Sequence, residues 1–277
     1  GGVTKTTTTP VTVTSISNTL ASNSWATIRA VSDAGKGSNY WSVGDAKGIT
    51  INGKVGATTI SNLAISVFIL GFNHNASREG SNRIHFQIGK INGTLVGLVD
   101  GNYSNYTSTT GAFTMNTSNT NSGGWNNSHM RKTVLGSNSA SATSPTANTL
   151  LAALPADLRA VMKPATKYSD NTGGGSDTAS YVTSTTDLLP LLSEFEYHGA
   201  RSYANSAEKN YQAQYDYYRA GNSKVHYKHN ATGTAANVWC RSVYSSGSNS
   251  FCLVGTDGSA STGDAPSSWA LAPCFFV

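Results

Sequence analysis

Charge is what this sequence has least of. Asp, Glu, Lys and Arg make up 12% of its 277 residues, about half the usual share of a soluble domain. Ser, Thr, Asn and Gly stand in their place, which suits strands, turns and long ordered loops better than helix bundles. The formal net charge is +5, yet no basic run exceeds Arg131-Lys132. Nucleic-acid binding calls for a basic patch or stripe, so that partner class is excluded. No apolar run approaches the ~18 residues of a membrane-spanning helix. The most apolar segment, "NLAISVFILGF", is short and β-branched, as a buried strand is. No signal-peptide pattern is present, and the opening "GG" looks like a truncation.

Cysteine is scarce as well. Cys240, Cys252 and Cys274 form no CxxC pair and no histidine follows at ligand spacing, so a zinc site is not expected. A Cys252–Cys274 disulfide needs neighbouring strands; buried free thiols are the simpler state. Catalytic motifs are missing too. "GSNSF" and "GSNSA" lack the second glycine of a nucleophile elbow. "DAGKGSN" lacks the first P-loop glycine and a Ser/Thr after Lys36. His226 and His229 stand at i, i+3 but have no third ligand nearby, so an exposed polar pair is expected. Glu194 and Glu196 flank Phe195; a solvated or helix-capping role is the default, and catalysis would need a cleft. Sequons at Asn75, Asn92 and Asn230 are expected by chance in such a composition. No enzyme activity, cofactor or metal is expected.

What is present can be ordered along the chain. Residues 1–22 read as a Thr-rich linker or edge strand, and a domain as residues 23–277. Trp25, Ile28 and Val31 recur at helical spacing, with Gly35 as a stop signal. Asn52-Gly53 and Asn92-Gly93 are read as tight hairpin turns. Between them lies "NRIHFQIGKI", which places Ile84, Phe86 and Ile88 on one face and Arg83, His85 and Gln87 on the other. Residues 101–123 read as loop. A short helix is expected through Trp125, Met130 and Val134, ended by Gly136. The strongest helical stripe is Leu150, Leu151, Leu154, Leu158, Val161 and Met162, with Pro155 opening a turn and Pro164 a stop. Another helix is expected through Tyr211, Tyr215 and Tyr218, capped by Gly221-Asn222. Strands and loops return after "HYKHNATG". The fold class is therefore α+β.

Several landmarks in order, "GGWNNSHMR", "ALPADLRAVMKPATKYSD", "DLLPLLSEFE", "VWCRS", "FCLVGTDGS" and "ALAPCFFV", resemble a bacterial and phage domain family with a C-type-lectin-like fold. Its close relatives are variable proteins of diversity-generating retroelements. The resemblance covers roughly residues 23–277 and is most specific in the second half. It implies helices packed on a twisted antiparallel sheet and a ligand surface near the C-terminus. In such systems a reverse transcriptase miscopies template adenines, so only adenine-bearing codons change. An AAC codon randomised at both adenines becomes NNC, which cannot encode Lys, Glu, Gln, Met or Trp. From Asn230 to Val277 the chain has no Lys, Glu, Gln or Met, and only Trp239 and Trp269. Cys240 departs from the family's usual Trp-Leu-Arg-Ser, and Ala272 from its usual Arg-Pro.

The resemblance implies that Trp239, Arg241, Phe251, Val254, Gly255, Gly258, Leu271, Pro273 and Phe275 hold a scaffold, with Arg241 pinning loop carbonyls through its five donors. Within a variable region at 237–269, the implied ligand face is Asn237, Val238, Tyr244, Ser245, Ser248, Ser250, Thr256, Asp257, Ser261, Thr262, Asp264, Ser267, Ser268 and Trp269. Small polar residues with a few aromatic anchors, here Tyr244 and Trp269, also dominate antibody loops. The expected role is non-enzymatic attachment of a phage tail or fibre, or of a bacterial surface, to a cell-surface protein or glycan, gut bacteria included. Oligomerisation stays open. One alternative is a structural virion or adhesin module. Another is an oxidase resembling formylglycine-generating enzymes, which use a cysteine pair near the C-terminus. Calcium-dependent sugar binding is not expected, because Glu-Pro-Asn and Trp-Asn-Asp triplets are absent.

Overall fold

The computed structural model describes residues 15–106 and 112–277. The linker or edge strand expected over residues 1–22 lies largely outside them; residues 15–22 are irregular, ending in the 3-10 turn Leu20–Ser22. Helix α1 (Trp25–Asp33) starts at Ser24, whose side chain accepts the Thr27 N–H, and buries Trp25, Ile28 and Val31, as their spacing predicts. A single turn, α2 (Gly37–Tyr40), follows.

Strands β1 (Ala46–Val55) and β2 (Thr58–Phe72) form an antiparallel hairpin. Its turn is Gly56-Ala57, not the expected Asn52-Gly53. Asn52 and Gly53 lie inside β1, where the register slips between Ile51 and Gly53. The bulge is fastened by Asn52 Oδ1, which accepts the Asn62 N–H at 3.1 Å. Gly53 adopts φ +151° there, and a Cβ on it would sit 3.3 Å from the Ala153 Cβ. Asn-Gly thus serves a bulge and a close approach, the other use of that pair.

After α3 (Ala76–Glu79), strands β3 (Ile84–Ile91) and β4 (Thr94–Gly97) turn at Asn92-Gly93, as expected. The hydrophobic face of β3 is also as expected, but the opposite face is not solvated: His85 and Gln87 are as buried as Phe86. Strand β12 (Cys274–Phe276) pairs with the first half of β3, beside which β2 lies on the other edge. Strands β7 (His226–Lys228) and β8 (Ala231–Ala236) extend this sheet in the order β1-β2-β3-β4-β7-β8, with β4 and β7 parallel. A second sheet has the order β11-β10-β9, from β9 (Val238–Val243), β10 (Ser250–Val254) and β11 (Ala260–Asp264). A third pairs β5 (Ala165–Asp170) with β6 (Val182–Asp187).

The expected helices are shorter than their periodicity suggests. Met130–Val134 is one π-helical turn. Trp125 lies in the turns before it, where Gly124 (φ +55°) runs so close to the chain that a Cβ would be 2.2 Å from the Asp170 carbonyl oxygen. The Leu-rich stretch divides into α4 (Leu150–Ala153) and α5 (Ala156–Arg159) because Leu154, at ψ 154°, is extended before Pro155, as a residue preceding proline prefers. Its stripe is nonetheless core: Leu150, Leu151, Leu154, Leu158, Val161 and Met162 are all buried. The tyrosine helix does not form as expected. A 3-10 segment (Ser206–Asn210) and α7 (Asp216–Arg219) replace it, because the Tyr215 N–H donates to the Glu196 carbonyl at 3.0 Å instead of to its own helix. The protein is α+β, mostly sheet, with short helices.

Candidate functional site

The region singled out by sequence is the β9–β10–β11 sheet and its connections. Strands β9 and β10 are buried at every residue, whereas β11 is half-buried throughout. Of the expected scaffold, Trp239, Arg241 and Phe251 are wholly buried. Trp239 Nε1 donates to the Phe113 carbonyl at 2.9 Å. Gly255 and Gly258 close the β10–β11 turn through their own backbone hydrogen bonds. The Pro273 carbonyl accepts the Ile88 N–H at 3.0 Å, tying the last strand to β3.

The expected ligand residues separate into two groups. Ser248, Thr256 and Asp257 are exposed, and Asn237, Tyr244, Ser261, Thr262, Asp264 and Trp269 are half-exposed. Val238, Ser245, Ser250, Ser267 and Ser268 are buried, which corrects their assignment to the surface. Val238 packs with Val99, Ala236 and Ala270. Ser245 Oγ donates to the Tyr203 carbonyl at 3.0 Å and accepts from Arg201. Ser250 Oγ donates to Asp264 Oδ1 at 3.1 Å. Ser268 Oγ donates to Asp100 and accepts the Phe113 N–H. The Ser267 N–H closes a turn onto the Asp264 carbonyl. Asp257 is exposed and engaged within its own loop: hydrogen bonds from the Ser259 hydroxyl and N–H hold its carboxyl below the ordinary range.

Both expected anchors have aromatic partners from distant loops. Tyr244 meets Tyr203 edge-on at 5.9 Å. Trp269 meets Tyr103 edge-on at 5.2 Å, and Lys228 Nζ lies 4.0 Å over the Tyr103 ring. Tyr103 OH accepts the Asn237 N–H at 2.9 Å. Tyr103, Tyr203 and Lys228 carry no local motif that marks them; only the tertiary fold brings them in. Glu194 is the reason Tyr203 is held in place, for its carboxylate accepts the N–H groups of Ser202, Tyr203 and Ala204. It is buried, not solvated as expected. Gly263, opposite Phe251 on β11, is required here: a Cβ would lie 2.8 Å from both the Leu253 Cδ2 and the Trp269 Nε1.

Beneath this surface is a buried charge network. Arg241 reaches Ser169 Oγ at 2.8 Å, the Leu191 carbonyl at 3.0 Å, the Tyr168 carbonyl at 3.2 Å, and Glu196, so it pins loop carbonyls as expected. Glu196 lies on α6 (Glu194–His198) and closes a capping box with Ser193. Lys167, on β5, sits 2.6 Å from Glu196 Oε2 and 2.5 Å from Glu79 Oε1. Burial opposes charge on each of these groups. Arg241 and Lys167 overcome it to hold Glu196 below its ordinary value, and Glu196 and Glu79 overcome it to hold Lys167 above its own. His74 stacks on Tyr215 at 3.9 Å, and burial pushes it down to about 3. His74, Glu79 and Glu196 bring ligand atoms within 4.8 Å of one another, a donor set fit for a metal ion. The Lys167 ammonium already fills the cation's place between the two carboxylates.

The remaining candidates do not come together. His226 is buried, with Nδ1 against the Lys224 carbonyl, while His229 Nδ1 accepts the Val99 N–H at 3.0 Å; they are not the exposed pair expected. All three cysteines are free and buried. Burial raises Cys240 and Cys252 well above the ordinary range and pushes Cys274 up to about 12. A groove of about 410 Å³ lined by Ile16, Val31 and Tyr40 shares no residue with β9–β11. No curated protein and no solved structure matches the chain. Residues 103–277 match the family described as a domain of unknown function, DUF6273. That segment includes β9–β11 and the network beneath them, and it supplies β7, β8 and β12 to a sheet whose other strands precede it. The chain belongs to the DUF6273 family.

Proposed function

We propose that this chain is a non-enzymatic binding protein with a C-type-lectin-like fold whose C-terminal surface can be rewritten without loss of the fold. Its ligand is a protein or glycan on a cell surface, and the protein is carried on a phage tail or fibre or on a bacterial surface. The observation that carries this reading is the interleaving within residues 237–269. Trp239, Arg241 and Phe251 are buried; Tyr244 and Ser248 lie between Arg241 and Phe251 in sequence, Thr256, Asp257, Ser261 and Thr262 follow Phe251, and these face outward at least in part. The outward set is small and polar, with Tyr244 and Trp269 as aromatic contacts, a composition that adapts to many ligands. The raised thiols of Cys252 and Cys274 favour binding over cysteine-based oxidation, which needs accessible thiolates.

The DNA beside the gene tests the diversification. We expect a reverse-transcriptase gene and a near-identical template repeat, differing from the codons of residues 237–269 mainly at adenines. Flanking DNA with neither would remove the retroelement from this account.

A further inference from the structure

We propose that the ligand of this surface is an extended segment of a partner protein, which pairs as an added strand along the open edge of β11. This rests on the reading above and narrows its ligand from protein or glycan to a peptide chain. The register fixes which backbone groups face outward. At the two ends of the β10–β11 pairing, the Ala265 N–H donates to the Asn249 carbonyl at 2.9 Å and the Gly255 N–H to the Ser259 carbonyl at 2.8 Å. Hydrogen-bonded and non-bonded pairs alternate along an antiparallel ladder. Ser261, opposite Leu253, and Gly263, opposite Phe251, therefore spend their N–H and C=O groups on β10. Ala260, Thr262 and Asp264 direct theirs away from it. Among the described residues the Asp264 carbonyl meets the Ser267 N–H, and the rest of these outward groups meet no partner.

The opposite edge of the same sheet is closed, for Trp239 and Arg241 of β9 donate their N–H groups to the Ala270 and Leu192 carbonyls. The outer strands of the large sheet are guarded. Strand β1 carries Lys47, Lys54 and a bulge, and β8 slips in register against β7, devices that keep sheet edges from pairing. Strand β11 has no lysine, proline or bulge. Its residues are small, half-buried throughout, and in unbroken register with β10. A row of free donors and acceptors at strand spacing is complementary to another extended backbone. Main-chain pairing also suits a surface that is rewritten. Substitution changes side chains and leaves the N–H and C=O groups in place. The edge thus supplies a constant share of the affinity, while Ser261, Thr262 and Trp269 select the sequence. Trp269 is placed to do so: a Cβ on Gly263 would lie 2.8 Å from its Nε1, so the indole rests against one face of β11. The occupant is a different protein rather than a second copy, because each copy carries a net charge of +5 and like charges oppose self-pairing.

Selection of a displayed library of random linear peptides against the full chain, followed by synthesis of the tightest binder, tests this. Backbone N-methylation walked along that peptide should weaken binding at least about tenfold at every second residue of its central stretch, where an N–H bonds to β11, and much less at the residues between. The Thr262 amide should exchange freely in the unbound chain and gain at least about tenfold protection on binding, whereas the Ser261 and Gly263 amides are protected from the start. Thr262→Pro removes the outward N–H and no bond to β10; it should lose the peptide and keep its resistance to proteolysis. No selected peptide, uniform sensitivity to N-methylation, or unchanged exchange at Thr262 overturns the proposal. So does protection of Thr262 that rises with chain concentration in the absence of peptide, which makes a second copy the occupant. A glycan from an array that binds through residues 237–269 without protecting Thr262 overturns the edge pairing alone, whereas ligands indifferent to every change in 237–269 would remove the proposed function. If Thr262→Pro fails to fold, the N-methylation pattern and the amide exchange decide.

Discussion

Arg241→Met should destabilise the protein by about 3–5 kcal/mol, enough to abolish most of its folding free energy. The size follows from what the guanidinium leaves behind. Arg241 is wholly buried and spends its donors on Glu196, Ser169, Leu191 and Tyr168. Methionine fills a comparable volume, but Glu196 and Glu79 would then share Lys167 alone, an excess of negative charge far from water. The freed carbonyls of Leu191 and Tyr168 add the cost of unsatisfied acceptors. Urea unfolding of the native chain and the variant measures it. A midpoint shift worth less than about 1 kcal/mol would mean that Arg241 is not a structural centre.

Glu208→Gln should change how stability depends on pH. Glu208 is 1% exposed, accepts the Asp170 N–H at 3.1 Å through Oε1, and has no partner at Oε2. Burial raises its carboxyl from the ordinary 4.5 to about 8, against the opposing pull of Arg241. Between those values the folded state holds a proton that the unfolded chain has released, so stability falls as pH rises through the window and the contribution is gone above about 8. Buried histidines act in the opposite sense at lower pH. His74, down to about 3, and His226, down to about 4, both from 6.5, make stability rise with pH up to about 6.5. The clean interval is therefore from about 6.5 to about 8.5, below the range where buried thiols enter. There the native protein should lose about 2 kcal/mol, and Glu208→Gln, which keeps the acceptor and cannot ionise, should stay flat. Urea midpoints at the two ends of the interval measure this. Parallel slopes for the two proteins would show that Glu208 is already ionised at neutral pH.

These two residues also mark where sequence reasoning stops. Arg241 is legible as a carbonyl clamp only through the family resemblance, which places it in the scaffold with five donors to spend. Its carboxylate partner was not, since Glu196 looks like an ordinary helix-start residue until α6 carries it inward. Local turn chemistry was a good guide at Asn92-Gly93, where nothing else approaches. It failed at Asn52-Gly53, where α4 packs against the bulge. Alternation along β3 identifies its apolar face, Ile84, Phe86 and Ile88, but alternation cannot say whether the polar face meets water. Here His85 and Gln87 meet Tyr215, Tyr197 and Tyr218 instead. The tyrosine helix was lost for the same reason: its residues serve that network and give up helical hydrogen bonds to do so. On the ligand face, serine was the ambiguous residue. Ser248 is at the surface while Ser245, Ser250, Ser267 and Ser268 are inside, and a serine's size and polarity fit either place.

On the proposed reading, the β9–β11 surface varies independently of the scaffold beneath it. Two libraries on the full chain test it most directly, with resistance to proteolysis as the measure of folding. One randomises Tyr244, Ser248, Thr256, Asp257, Ser261, Thr262, Asp264 and Trp269 with NNC codons; the other randomises Trp239, Arg241, Phe251 and Gly263. Most members of the first should remain folded, with single changes costing within about 0.5 kcal/mol except at half-buried Trp269, and few members of the second should. Equal loss of folding in the two libraries would contradict the separation of surface from scaffold.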